Sequence, residues 1–163
     1  YITKGLTMKI VSNLLLLAAA ASFTALASTS PYGISVEELF DKAEATNDKT
    51  YVNLAVYRCS ALLALVNGIV ERDTGTTKNK GASQELFEFG FYITMEQLQE
   101  RGGKIDEDAV LSRSKASYDD HYSKYYDWMV KNYDAFGDYW GTDQSLQSEI
   151  TSCNTLAKQI ETK

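Results

Sequence analysis

The sequence is poor in the residues that carry out chemistry. It has one histidine, His121, two cysteines and a single proline among 163 residues. With one imidazole, a metal site would have to recruit carboxylates from several helices. The cysteines, Cys59 and Cys153, belong to no CxxC pair, which excludes thioredoxin-type redox chemistry and c-type haem attachment. No Ser sits in a recognisable nucleophile elbow. There is no run of five like charges, so no acidic or basic tail. Lys and Arg total 16 against 22 Asp and Glu, and the formal charge is -6. That balance argues against nucleic acid or an anionic membrane surface as partner.

What is present begins with an export signal. Met8-Lys9 precedes a short apolar run, Ile10 to Ala21, built on Leu14-Leu15-Leu16-Leu17. Ala25-Leu26-Ala27 supplies the small-x-small pattern of a cleavage site. Residues 1–27 are therefore expected to be a cleaved signal peptide, with residues 1–7 upstream of the start at Met8. The mature domain is 28–163, beginning at Ser28. The apolar run is shorter than the roughly 20 residues that span a bilayer, so no membrane association is expected after cleavage. No Cys stands at the cleavage site to accept a lipid. The mature part carries -8, because residues 1–27 remove Lys4 and Lys9 and no acid. Localisation is expected to be periplasmic or secreted. Such a compartment favours a disulfide between Cys59 and Cys153.

The mature chain reads as all-α, a bundle of four or five helices. Ser35 and Glu38 form a capping box, with Ile34 and Leu39 placed as a hydrophobic staple. Asn47-Asp48 ends that helix. From Lys49 to Arg72 apolar residues cover most of the helical circumference, the mark of a central helix. Asp73–Gly81 reads as a loop. Residues 83–100 are ambiguous: Phe87, Phe89, Phe91 and Ile93 alternate like a strand, yet Leu86, Phe89 and Ile93 also suit a helix. With no second good strand to pair with, helix is the expectation, stopped by Gly102-Gly103. Asp106 caps a long helix whose stripe is Leu111, Tyr118, Tyr122, Tyr125, Met129, Tyr133 and Phe136, ending at Gly137. Leu146, Ile150, Cys153, Ala157 and Ile160 define the last helix. A Cys59–Cys153 bond would then clamp the central helix to the last.

Candidate chemistry is sparse. His121 is expected on an exposed polar helix edge; haem ligation by His121 with Met95 or Met129 is conceivable but unsupported. Glu88, between Phe87 and Phe89, has surroundings that could raise a glycosidase acid, but its helical position points it to water. No catalytic residue, metal or cofactor is assigned. Eleven tyrosines occur, six of them from Tyr118 to Tyr139, beside Trp128 and Trp140. Tyr126, Trp128, Tyr139 and Trp140 fall off the core stripe or in a turn, and are the candidate binding residues.

The segment Tyr57-Arg58-Cys59-Ser60-Ala61-Leu62 with Cys153 resembles the arrangement in small periplasmic helical proteins of Gram-negative bacteria. In size and single inter-helix disulfide the chain is also similar to periplasmic acid-stress chaperones, though longer and more acidic. The leading expectation is an exported, non-enzymatic bundle that binds a protein or small ligand. A small cell-wall glycan hydrolase and a stress holdase are the alternatives.

Overall fold

The computed structural model describes residues 30–76 and 81–161. The expected signal peptide lies outside the described residues. Five helices follow a short strap at residues 30–35: α1 (Val36–Thr46), α2 (Lys49–Thr74), α3 (Ala82–Glu100), α4 (Glu107–Phe136) and α5 (Gln144–Glu161). No strand occurs among them. The ambiguous 83–100 segment is helical, as its lack of a strand partner required.

Local signals fix most boundaries. Ser35 Oγ accepts from Glu38 N at 3.1 Å while Glu38 Oε2 accepts from Ser35 N at 2.7 Å, so two orphan donors are satisfied reciprocally. Asn47 leaves α1 in the left-handed region at φ 51, and Asp48 caps α2 through Thr50 N. Asp106 accepts from Ala109 N to start α4, and Gly137, at φ 71, ends it. Asp143 caps α5 through Leu146 N.

α2 is the hub: α1, α3, α4 and α5 all pack against it. By length and hydropathy it could cross a membrane, but here much of its surface is covered by the other helices. Ala55, Val56, Cys59, Leu62 and Leu63 are all buried. Gly90 of α3 shows how close the packing is. A Cβ there would lie 2.9 Å from the Tyr57 ring, nearer than real Cβ atoms come. Ser60 Oγ donates to Ser83 O and Ser83 Oγ donates to Ser60 O, at 2.7 and 2.8 Å. This reciprocal pair pins the first turn of α3 to the middle of α2. From there α3 runs antiparallel, with Asn53 of α2 reaching Thr94. The C-terminal half of α2 thus extends beyond the start of α3.

The disulfide is formed. Cys59 and Cys153 have Cα atoms 4.9 Å apart and sit fully buried on α2 and α5.

The face that α4 presents to the core differs from the expected stripe. Val110, Ser114, His121, Tyr125, Trp128, Met129 and Asn132 are buried, whereas Leu111, Tyr122, Tyr133 and Phe136 are exposed. The helix is rotated from the all-apolar register because three polar residues turn inward. Each has work inside: Ser114 Oγ accepts from Tyr57 Oη at 2.6 Å, His121 meets Tyr32, and Asn132 donates to Asp143.

The cross-link closes a separation of 94 residues, for which the chain-entropy account gives roughly 4–5 kcal/mol as an upper value. The core cluster around it is apolar and continuous. Replacing both cysteines with Ala is therefore expected to lower the melting temperature while far-UV circular dichroism stays helical. Loss of helicity at room temperature would show that the core cannot stand without the bond.

Candidate functional site

Two features of the fold stand apart from ordinary helix packing. One is a buried charged clamp and the other is an open groove.

The clamp centres on Arg58, a guanidinium fully buried in the hub helix. Its Nη2 donates to Glu149 Oε2 of α5 at 2.7 Å, its Nη1 to Ile34 O of the strap at 2.8 Å, and its Nε to Tyr125 Oη of α4 at 3.4 Å. Tyr125 Oη donates to the same Glu149 oxygen at 2.7 Å. The other oxygen, Oε1, accepts from Val36 N at 3.0 Å, an orphan amide at the start of α1. The Tyr32 ring closes the cluster, its centroid 3.7 Å from Arg58 Cζ in a cation–π contact. A buried charge is tolerated only when paired and hydrogen-bonded, and here both conditions hold.

His121 belongs to this clamp. It is 5% exposed, not on a polar edge as expected, because the strap lays Tyr32 across it. Its ring Nδ1 lies 3.1 Å from Tyr32 Oη, and Nε2 has no hydrogen-bond partner among the described residues. Burial pushes its pKa down to about 4. Asp120, 3.8 Å away, pulls upward, while Arg58 and Lys124 add to the depression. Burial likewise raises the Tyr32 and Tyr125 hydroxyls.

The groove lies where α3 stops short. It encloses about 490 Å³, within the range of small-molecule sites. Ala64 and Gly68 of α2, one helical turn apart, form its floor. Ser83, Gln84 and Phe87 from the first turns of α3 form one wall, and Lys115 and Tyr118 of α4 the other. The aromatic wall is ordered by ring contacts: Phe87 meets Tyr57 and Tyr118 edge-on at 5.8 Å each, and Tyr118 continues to Tyr122 in a tilted pair at 6.0 Å. Burial raises the Tyr118 hydroxyl, with Tyr122 and Asp119 adding to the rise and a hydrogen bond with Ser83 opposing it. Lys115 Nζ is held by both oxygens of Asp119, at 3.1 and 2.8 Å.

The candidate binding residues do not make one face. Trp128 is 3% exposed and donates from Nε1 to Asp143 Oδ2 at 2.8 Å, so it packs and braces the α4–α5 turn. Tyr139 and Trp140 are half-buried against the core, and Tyr139 stacks on Tyr133 at 4.6 Å. Only Tyr126, at 54%, is well exposed. An indole one step off an apolar stripe still reaches the interior when an acid there can take its N–H. Glu88 is exposed and accepts from Gln84, as its helical position required.

Neither feature stands out in the sequence. Arg58 was visible as a lone charge inside the most apolar segment, and Glu149 as an acid one turn after Leu146. The groove had only a faint signal, Gly68 within a helical run.

No protein family matches the sequence, and no curated protein or solved structure shows significant similarity to it. The functional reading therefore rests on geometry.

Two outcomes follow from the clamp. Glu149→Leu strands the buried guanidinium and should destabilise the fold by about 3–5 kcal/mol, whereas the double change Arg58→Met with Glu149→Leu should recover most of that. Denaturant melts of the three proteins decide it, and equal loss in single and double variants would show that the charge itself is not at stake. The second concerns pH. The unfolded state protonates His121 near pH 6.5 and the folded state only near 4, so the unfolded state binds the proton first. The contribution of His121 to stability should fall as pH drops through that window and level off below it. In His121→Asn the fall should vanish from this window. Loss at still lower pH, from Glu38, Asp48 and Asp73, whose hydrogen bonds hold their pKa values down, should persist.

Proposed function

We propose that this is an exported, non-enzymatic binding protein that holds a small ligand in the groove between α2, α3 and α4. The disulfide supports an oxidising compartment, the periplasm or the exterior. The observation that carries the binding reading is Gly68. In a helix interior, glycine is less stable than alanine by roughly 0.5–1 kcal/mol. Gly90 has a packing reason for its missing Cβ, but a Cβ at Gly68 would meet nothing within 4 Å. Bare backbone with open space above it, on the floor of a walled groove, is room kept for an occupant.

The chemistry of the walls supports binding over catalysis. The acid–base groups bordering the groove are Glu71, Lys115 and the Tyr118 phenol; Lys115 is already paired with Asp119 and burial raises the Tyr118 hydroxyl. A glycan hydrolase would require two carboxylates flanking one bond, and the lining includes one. A stress holdase has a separate observation in its favour. Tyr122, Tyr126, Tyr133 and Phe136 are exposed along one flank of α4, the type of surface that would take unfolded chains.

A fragment screen by amide chemical shift on the isotopically labelled, disulfide-bonded protein separates these. Hits should gather at Ala64, Gly68, Phe87 and Tyr118. Gly68→Leu should fold as well as the parent, since its side chain has space and better helix propensity, yet lose the hits. Shifts confined to Tyr126, Tyr133 and Phe136 would favour the holdase instead.

A further inference from the structure

We propose that the strap is an acid-released latch: a proton taken up by His121 frees Tyr32 and lets residues 30–34 leave the clamp while the five helices stay folded. No residue lining the groove takes part, so the latch stands apart from the small-ligand reading.

The strap is held by few contacts. Ile34 O accepts from Arg58 at 2.8 Å, and the Tyr32 ring lies 3.7 Å over the same guanidinium and 5.1 Å from the Tyr125 ring. Among the described residues, the strap's other long-range hydrogen bonds are those of Tyr32 Oη, 3.1 Å from His121 Nδ1 and 3.4 Å from His121 O. Beside it is a cavity of about 290 Å³, bordered by Tyr32, Gly33, Ile34, Ser145 and Ser148. The strap is therefore pinned at two points, Ile34 and Tyr32, with open space along one side.

The Tyr32 point depends on the charge of one ring. A Tyr32 Oη that donates to His121 O accepts from Nδ1–H, and Nε2 is then a bare lone pair, buried and without a partner among the described residues. If Oη donates to Nδ1 instead, Nε2 bears the hydrogen. From either tautomer an added proton leaves a buried Nε2–H with no acceptor, which is costly. It also sets a second cation beside Arg58.

The charged groups around the ring act in the same sense. Arg58 of α2 and Lys124 of α4 oppose the imidazolium, and Asp120 of α4, 3.8 Å from Nδ1, attracts it. Tyr32 and Tyr125 are neutral phenols whose hydroxyls burial has raised. Glu149 of α5 is spent on Arg58, Tyr125 and Val36 N. Asp120 is exposed and already bonded to Lys124, so pairing with it draws the imidazolium toward water and away from Tyr32. With the strap closed the ring takes its proton only near pH 4, and with the strap open and the ring in water, near 6.5. The open form binds the proton first. The ratio of open to closed strap should therefore rise about 30-fold from roughly pH 7.5 to 5.

The test follows the amides of Tyr32, Gly33 and Ile34 in the labelled, disulfide-bonded protein from about pH 7.5 to 4.5, beside the ring Hε1 signal of its one histidine. The strap amides should move toward random-coil positions together with Hε1, while the amides of Cys59, Leu62 and Met129 stay dispersed. Asp120→Asn should carry both midpoints to lower pH and Lys124→Gln to higher pH, shifts that a merely structural contact would not give. In His121→Asn the strap should hold one position across the range, whether closed or open. Strap amides that stay in place until the core signals are lost in the same transition would overturn the latch. So would a strap transition that persists in His121→Asn, or one whose midpoint ignores both charge variants.

Discussion

Burying the Arg58 guanidinium inside α2 is the constraint around which the rest of this fold is arranged. An arginine cannot shed its charge, so the interior had to be furnished with acceptors in the right directions. Glu149 supplies one from α5, the Ile34 carbonyl a second from the strap, and Tyr125 a third from α4. Three segments distant in sequence are thereby fixed relative to the hub by directional bonds, where apolar contacts alone would allow sliding. Glu149 also caps Val36 N, so the start of α1 depends on the same carboxylate. The disulfide acts one residue further along α2, at Cys59, and joins α5 a turn beyond Glu149. Covalent and ionic links thus reinforce the same α2–α5 contact.

The inward polar groups explain which parts of the fold were legible in the sequence. Boundaries were legible because capping is local: Ser35 with Glu38, Asn47, Asp106 and Gly137 each act within a few residues of themselves. The Cys59–Cys153 pair was legible because both residues sit on apolar stripes and only two cysteines exist. The inward face of α4 was not, since hydrophobic periodicity assumes that polar residues face water. Ser114, His121 and Asn132 break that assumption, and their partners Tyr57, Tyr32 and Asp143 lie on other elements. The same error set Trp128 among the surface rings, because the acid that receives its N–H is 15 residues away. Only tertiary contacts disclose such pairings.

The groove is a by-product of helix lengths that the sequence does state. α2 runs for 26 residues and α3 for 19, and the Ser60–Ser83 pair anchors the start of α3 at the middle of α2. The C-terminal half of α2 is consequently left without α3 above it, and α4 provides the opposite bank. What could not be read was which side chains would border the opening, since Ala64, Phe87 and Tyr118 come from three helices. Tyr118 falls on the expected packing stripe of α4, and it does pack. Its edge contact with Phe87 is what holds both rings in place at the groove.

This arrangement also bears on how a ligand would be recognised. Binding is stronger when little has to be ordered at the moment of association. The groove floor belongs to the hub helix, which is tied just before the floor by the disulfide at Cys59, the ion pair at Arg58 and the serine pair at Ser60. Its walls are joined to each other by the Phe87–Tyr118 contact. If the groove takes a ligand, helices already held by such links lower the ordering cost of its association. Within that frame Gly68 gives up helix stability, and a Cβ there would meet nothing within 4 Å.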